Sequence, residues 1–568
     1  MRNGFLKRAF LVLCLSLLLL NNAQAKDRDK KKYEVSEMPK ALYLTAPDSP
    51  EARLEFSSAN CPELKPNDNS AYSYLGMLVS AGERRSGSQE MRCAVEAVKK
   101  FLESFGYYVE VQNYRFPYYK VDKTLFEFKE KDSGKIYPSF PLMYSPETNP
   151  EISGKVVSPE RIEKGSMVYV RGEFLGRKSL GQQAKEWKEK GAIGLVLDPR
   201  MFPFNTSGLL FPRSIHSTSW HYGALPGAVV QGAEDLVGKE VIWRNNCKIY
   251  AGQGYNVIAR SPGEFEDYII IGAHLDSWFL GALDDGSGVA VMMRIAELLK
   301  DEPEGNTGFI FVAFDSEELG LFGSQYFYEK FGADKVKAML NLDMVSVKNN
   351  FLHKDPAKAK IMPKVISSAP ELKDISRQTY AIINATKFYT GLSWWRTIYG
   401  GLPTDYEWFY SAGVPGVFIY TPDRYYHTPL DNMQWQDRAD LEAVSSASAE
   451  LLKKIAGTKM IRPAQPLEME FSLFRQDDGT IAFDMKAKKG AKYVQVEKPL
   501  VYCYYEHGLE KKVDLKSAQG GWYRGSFSPL YRGEYQFVAV AEYKKDVRKI
   551  VKSMRIDEPI KEEKGDEK

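Results

Sequence analysis

Histidine is scarce in this chain: the 568 residues contain six, His216, His221, His274, His353, His427 and His507. Any chemistry that needs imidazole must be built from those positions. Cysteine is as sparse, with five in all. Cys14 lies near the start; Cys61, Cys93, Cys247 and Cys503 form no closely spaced pair of the zinc-finger kind and sit in no nucleophile-like context, which excludes a thiolate zinc site and favours a structural or inert role. In an oxidising compartment those four allow up to two disulfides in three connectivities. A membrane-spanning run is missing too. The apolar stretch from Ala9 to Leu20 falls short of the roughly 20 residues that cross a bilayer. It follows Arg2, Lys7 and Arg8 and precedes Ala23-Gln24-Ala25, so residues 1–25 read as a cleaved signal peptide, and the mature chain as an exported, periplasmic or secreted protein with no stable membrane span.

Charge of one sign is also lacking. Lys and Arg number 77 and Asp and Glu 74; removing three basic leader residues leaves 74 against 74. Nucleic acid is therefore not an expected partner, because phosphate binding draws on a basic surplus. With 44% hydrophobic and 27% charged residues the composition is that of a packed globular protein, and the length is enough for several domains.

Residues 26–70 form a charged lead-in. Val95, Val98, Leu102 and Phe105 then recur at helical spacing, Gly106 ends the helix, and Tyr107–Phe116 is β-prone. Apolar stretches at Tyr268–Ile271, Phe309–Phe314, Ala338–Leu342 and Gly416–Tyr420 alternate with helical segments Ser287–Lys300 and Ala439–Ile455. Strands apolar on both faces predict an α/β fold, a mainly parallel sheet with helices on both faces. Residues 71–116 and 253–460 make up this discontinuous domain. Between them, residues 117–252 read as an insert, with strands at Gly165–Gly172 and Gly191–Leu197 around a helix marked by Leu180, Ala184 and Trp187. From 465 to 556 alternation such as Tyr535, Phe537, Ala539 and Ala541, with turns at Asp477-Asp478-Gly479 and Gly520-Gly521, predicts an antiparallel β-sandwich-like module. Residues 557–568 read as a disordered tail.

The chemistry-bearing residues fall at the ends of the predicted strands, where open sheets gather ligands. His274 closes one strand and is followed by Asp276; ten positions on, Asp284 stands in Ala282-Leu283-Asp284-Asp285-Gly286-Ser287-Gly288, opening a helix. A second strand runs into Glu317-Glu318, a third into Asp343, and a later loop holds Tyr425-Tyr426-His427. Imidazole and carboxylate are the ligands of catalytic zinc. Two such ions about 3.5–4 Å apart need a bridging carboxylate, and a further carboxylate must stay off them as a general base. Glu317 and Glu318 can divide these tasks.

These motifs, in this order, resemble the M28 zinc peptidases, which include aminopeptidases and glutamate carboxypeptidases. Ala81–Ser88 is similar to that family's opening helix, and the insert, with Lys190-Gly191-Ala192-Ile193-Gly194, resembles a protease-associated domain. The resemblance implies a zinc exopeptidase fold and two Zn2+ per chain, one held by His274 and Asp343 and the other by Glu318 and His427, with Asp284 rather than Asp285 bridging. It implies Glu317 as general base, Asp276 as the residue orienting His274, and Tyr426 as the group that stabilises the oxyanion. His216 and His221 lack a carboxylate cluster, and His353 and His507 fall outside every motif. Phe388–Tyr410, with Trp394, Trp395, Trp408 and Phe409, reads equally as a specificity pocket or as core.

In the glutamate carboxypeptidase branch, arginines grip an acidic substrate in the segment matching Gly413–Tyr420; here Val417 and Ile419 stand there, read as an apolar lining that leaves a carboxylate unpaired. The expected activity is therefore an aminopeptidase of apolar or broad preference acting on peptides. A carboxypeptidase or dipeptidase is the nearest alternative, followed by a glutaminyl-cyclase-like transferase or a non-catalytic, receptor-like binding protein.

Overall fold

The computed structural model describes residues 61–556 apart from 121–126, 143–144, 146–147, 149, 172–179, 200–224, 246–247, 302–304, 346–363, 381–386, 391–401, 403, 422–424, 460–466, 490–491, 506–507, 530–532 and 544–545. The signal peptide reading, the tail at 557–568, Cys247, His216, His221, His353, His507, Trp394 and Trp395 lie outside the described residues.

Two helices lead in: α1 (Ala71–Ser80), capped by the Ser70 hydroxyl accepting from the Ser73 N–H, and α2 (Gln89–Ser104), capped in the same way by Ser88 and Met91. A disulfide joins Cys61 to Cys93 in α2, whereas Cys503 is buried in the core of the carboxy-terminal sheets. The segment between the helices, taken from the resemblance to be helical, is a loop from 82 to 87, with positive φ at Gly82 and Gly87.

The first sheet contains β1 (Tyr108–Lys120), β2 (Lys248–Arg260), β3 (Asp267–His274), β4 (Thr307–Phe314), β5 (Val336–Leu342), β6 (Lys364–Ser367), β7 (Lys387–Thr390) and β8 (Gly416–Tyr420), in the order β1-β2-β4-β3-β5-β8-β6-β7. The expectation of a mainly parallel sheet is amended: β4, β3, β5 and β8 run parallel, but the pairs β1/β2, β2/β4 and β8/β6 are antiparallel, so the sheet is mixed. The physical reason on one side is the β1–β2 ribbon, thirteen residues long in each strand, which must run out and back to connect with the segment inserted between them.

Period-two alternation sorts the central strands between two helical layers. Ile269, Ile271 and Ala273 of β3 share a core with Val289 and Met292 of α3 (Gly288–Leu299), Leu372 of α5 (Pro370–Tyr380) and Leu452 of α7 (Arg438–Ala456). Ile270, Ile310 and Phe418 face the other way, toward Phe327 of α4 (Phe322–Phe331) and Phe409 of α6 (Glu407–Ser411). With both faces buried, the four parallel strands present their carboxyl ends as the polar rim.

Between β1 and β2 lies a second sheet of eight strands, spanning Glu127 to Arg244, with the helix Leu180–Glu189 packing Ala184 and Trp187 against Leu195 and Leu197. Phe140 of that sheet meets Trp278, just beyond β3, edge to face with ring centroids 5.7 Å apart. After α7, antiparallel strands from Leu467 to Ile556 form a five-stranded and a four-stranded sheet with one shared core, in which Phe483 meets Phe537.

One side chain ties the leading helices to the rim. Arg84 is fully buried, and its guanidinium donates to the carbonyls of Leu275 at 2.9 Å, Leu280 at 2.9 Å and Gly281 at 3.0 Å. Burial pulls its pKa down to about 10, against the opposing pull of Asp431, Asp276, Asp285 and Asp284. Removing it strands three carbonyls and unbalances those carboxylates. Arg84→Met is therefore expected to lower the unfolding free energy by about 3–5 kcal/mol, read from the urea midpoint, with Arg84→Lys losing less.

Candidate metal centre

The rim of the sheet collects side chains from four strand ends. His274 is the last residue of β3, Glu317 and Glu318 follow β4, Asp343 follows β5, and His427 lies in the loop after β8. Asp284 sits between β3 and α3. All are at least 94% buried. Among the described residues two groups have ligand atoms within 4.8 Å of one another: His274, Asp284 and Asp343, and Asp284, Glu318 and His427. Asp284 belongs to both. Its Oδ1 lies 3.1 Å from His274 Nε2, and its Oδ2 lies 2.9 Å from His427 Nε2, which is 2.7 Å from Glu318 Oε1. A carboxylate with one oxygen toward each imidazole has the form of a bridge.

The donor set fits divalent cations of the zinc class. Asp284 Oδ2, Glu318 Oε1 and His427 Nε2 are buried and lack a hydrogen-bond partner, although they crowd together. Atoms that converge without sharing a proton on a hydrogen-bond line are poised for a cation. Electrostatics point the same way. Two like charges about 4 Å apart repel by about 4 kcal/mol at an effective dielectric of about 20. Burial, reinforced by neighbouring carboxylates, raises Glu318 and Asp343 to about 7 and Glu317 well above its usual range. Burial alone would lower His427, but Glu318 and Asp284 overcome it and hold the imidazole up at about 10.

The supporting contacts explain the geometry. His274 Nδ1 lies 3.0 Å from the carbonyl oxygen of Asp276. A carbonyl only accepts, so the proton sits on Nδ1 and Nε2 keeps its lone pair for a ligand role. The Asp276 carboxylate is 3.5 Å from the same nitrogen and makes closer contacts elsewhere: Oδ1 accepts from the Glu317 N–H at 3.1 Å, and Oδ2 from the Glu318 N–H and the Ser86 hydroxyl, each at 3.2 Å. It thus positions the acidic pair as much as the imidazole. Asp285, the rival bridge, instead receives the N–H groups of His274, Gly288 and Met344, at 3.2, 2.9 and 3.0 Å. Gly288 is required there, because a Cβ would stand 2.4 Å from the Asp285 oxygens.

Backbone strain concentrates here. The described non-glycine residues with positive φ are Phe279, Ser316, Leu321, Met344 and His427, all in the segments that carry the site. Tyr426 stacks on His427 with ring centroids 3.7 Å apart, while Tyr425 packs on Trp435 at 4.7 Å, so the two tyrosines are distinguished. Burial, together with Asp284 and Glu318, pushes the Tyr426 phenol up and keeps it protonated.

Three contributors were missed in the sequence. Asp431 accepts from the N–H groups of Leu283 at 2.7 Å and Asp284 at 3.1 Å, tying the two ligand loops together. Asp405, 1% exposed, raises both Glu317 and Asp343. Arg84 was hidden among the eight positions, Ala81–Ser88, that the resemblance made helical. None had a signal beyond its residue type. The reading of Val417 and Ile419 as a substrate lining is overturned: both are buried in the core beneath the helices. Phe409 is core as well, and Trp408 stacks on Tyr328.

Residues 256–452 match peptidase family M28. Leucine aminopeptidase 1 of Fusarium vanettenii is 31% identical over 227 residues, 36% of this chain and 54% of that protein. The glutamate carboxypeptidase 2 homolog of Caenorhabditis elegans is 28% identical over 342 residues, 52% of this chain and 44% of that one. The chain thus spans about half the length of these relatives. A zinc aminopeptidase from Bacillus subtilis is similar in fold, with a TM-score of 0.54 at 18% identity over 70% of this chain and 98% of that one. Family match, sheet topology and the convergence of the two imidazoles on Asp284 agree over one stretch: residues 256–452 are similar to peptidase family M28.

Proposed function

We propose that the protein is an exported two-zinc metallopeptidase that hydrolyses the peptide bond at one end of its substrate, acting as an aminopeptidase. The observation that carries this reading is Asp284, shared between two ligand groups. In it His274 and Asp343 hold one ion, Glu318 and His427 the other, and Asp284 bridges. The chemistry a zinc pair supplies when bound is activation of a water and polarisation of the scissile carbonyl. Glu317 takes the proton from the water as its oxygen attacks the carbonyl carbon. It returns that proton to the amine nitrogen as the C–N bond breaks. Tyr426, protonated beside His427, donates to the oxyanion, and Asp276 fixes the backbone of Glu317 and Glu318.

Relatives named as aminopeptidases support release from the amino end; those named as glutamate carboxypeptidases keep a carboxypeptidase as the second reading. Broad residue preference is the form proposed, since Val417 and Ile419 no longer argue for an apolar first residue. The Cys61–Cys93 disulfide suits an oxidising compartment, in keeping with a cleaved leader at 1–25, and no helix among the described residues is long and apolar enough to cross a membrane. We further propose that residues 117–252 are a protease-associated insert and 465–556 a separate β-sandwich module.

Purified mature protein is expected to release free Leu or Phe from the amino end of short peptides, to lose this activity to a chelator and to regain it with zinc. Release of carboxy-terminal residues alone, identified by mass spectrometry, would contradict the aminopeptidase assignment. Glu317→Gln is expected to bind zinc as the parent does while kcat falls by about 10²–10⁴-fold; metal content and steady-state rates measure the two effects separately.

A further inference from the structure

Two neighbouring arginines leave the loop after α1 in different environments. Arg84 is spent inside the fold, whereas Arg85 lines a cleft that also touches Ser277, Trp278, Glu318 and Leu319. Glu318, a member of the proposed metal pair, is part of the same lining, so the cleft adjoins the candidate centre. Trp278 is 4% exposed, and Phe140 holds its ring from the inserted sheet. Together with Leu319 it gives the cleft apolar walls.

Arg85 is the cationic member of that lining, and its charge is not consumed by the fold. Its side chain is 26% exposed, and its single ion-pair partner among the described residues is Glu83, with Nε 3.5 Å from Oε1. Charge-assisted bonds of this kind are ordinarily about 2.7–2.9 Å. The same Glu83 oxygen also accepts from the Phe279 N–H at 3.1 Å. The other acids of the cleft are engaged elsewhere: Asp276 with two backbone amides and Ser86, Glu318 with His427. Neither Nη of Arg85 has a partner among the described residues. A planar guanidinium with its fork open is matched by a carboxylate, which accepts two parallel N–H bonds.

We propose that Arg85 is a specificity-determining residue that reads a carboxylate on the peptide, with the adjoining apolar part of the substrate against Trp278 and Leu319. The inference rests on the exopeptidase reading and names a substrate class for it: short peptides whose carboxylate lies one residue from the scissile bond. That carboxylate is either the α-carboxylate of a dipeptide or an acidic side chain. The transfer of Val417 and Ile419 to the core removes the earlier reason to exclude acidic groups.

The test compares Leu-Ala, Leu-Ala amide and Leu-Glu amide with zinc-loaded wild type, Arg85→Gln and Arg85→Lys. A hydrogen-bonded charge pair of about 1.5–3 kcal/mol corresponds to about 10–100-fold in kcat/KM. The wild type is expected to prefer Leu-Ala over its amide by that factor, or Leu-Glu amide over Leu-Ala amide if the side chain is the source. Arg85→Gln should collapse the preference toward unity mainly through KM, and Arg85→Lys should restore part of it. An unchanged melting temperature in Arg85→Gln would separate this from unfolding, because the residue makes one long ion pair. Equal rates on all three peptides in the wild type, or an undiminished preference in Arg85→Gln, would overturn the proposal and leave the peptidase reading intact. Hydrolysis of none of them would overturn both.

Discussion

The shared carboxylate of Asp284 is the contact on which the rest of this architecture turns. It places two imidazoles, carried by strand ends more than 150 positions apart in sequence, on opposite oxygens of one buried group. Holding it there takes a backbone anchored from several directions. Asp431 grips its own N–H and that of Leu283, Asp285 pins the end of β3 to the start of α3 and to Met344, and Arg84 fastens the carbonyls that precede it. The pocket is therefore a set of carboxylates with separate tasks. Some face the reacting space, and others are spent on amides so that the first set cannot relax.

That division has an energetic cost, borne by the packed sheet. Several buried acids repel one another, and five non-glycine residues with positive φ lie in the same segments. The parallel strands beneath, buried on both faces by helices, supply the rigidity that keeps such a rim in place. In an active site this tension is useful, because groups that cannot move apart are preorganised for charge that develops in the transition state.

Much of this was legible in the residues. The four central strands could be read from apolar runs such as Phe309–Phe314, since burial on both faces leaves little else, and His274, Glu317, Glu318 and Asp343 fall at or just after the ends of such runs. The residues alone left Asp284 and Asp285 as rival bridges; only the family resemblance favoured Asp284. What stayed hidden lies at the level of side-chain direction. Val417 and Ile419 are apolar whether they line a cleft or fill a core, and only the pleat of β8 assigns them to the core. The direction of β6 was hidden as well, because its antiparallel pairing with β8 leaves no mark in a four-residue strand. Arg84 and Arg85 look equivalent in sequence, yet one is fully buried and the other borders the cleft.

The most direct measurement is anomalous diffraction at the zinc edge from crystals of the zinc-loaded protein. The account predicts two peaks about 3.5–4 Å apart, with Asp284 between them, His274 and Asp343 on one and Glu318 and His427 on the other. A single fully occupied peak, or two that share no ligand, would contradict it.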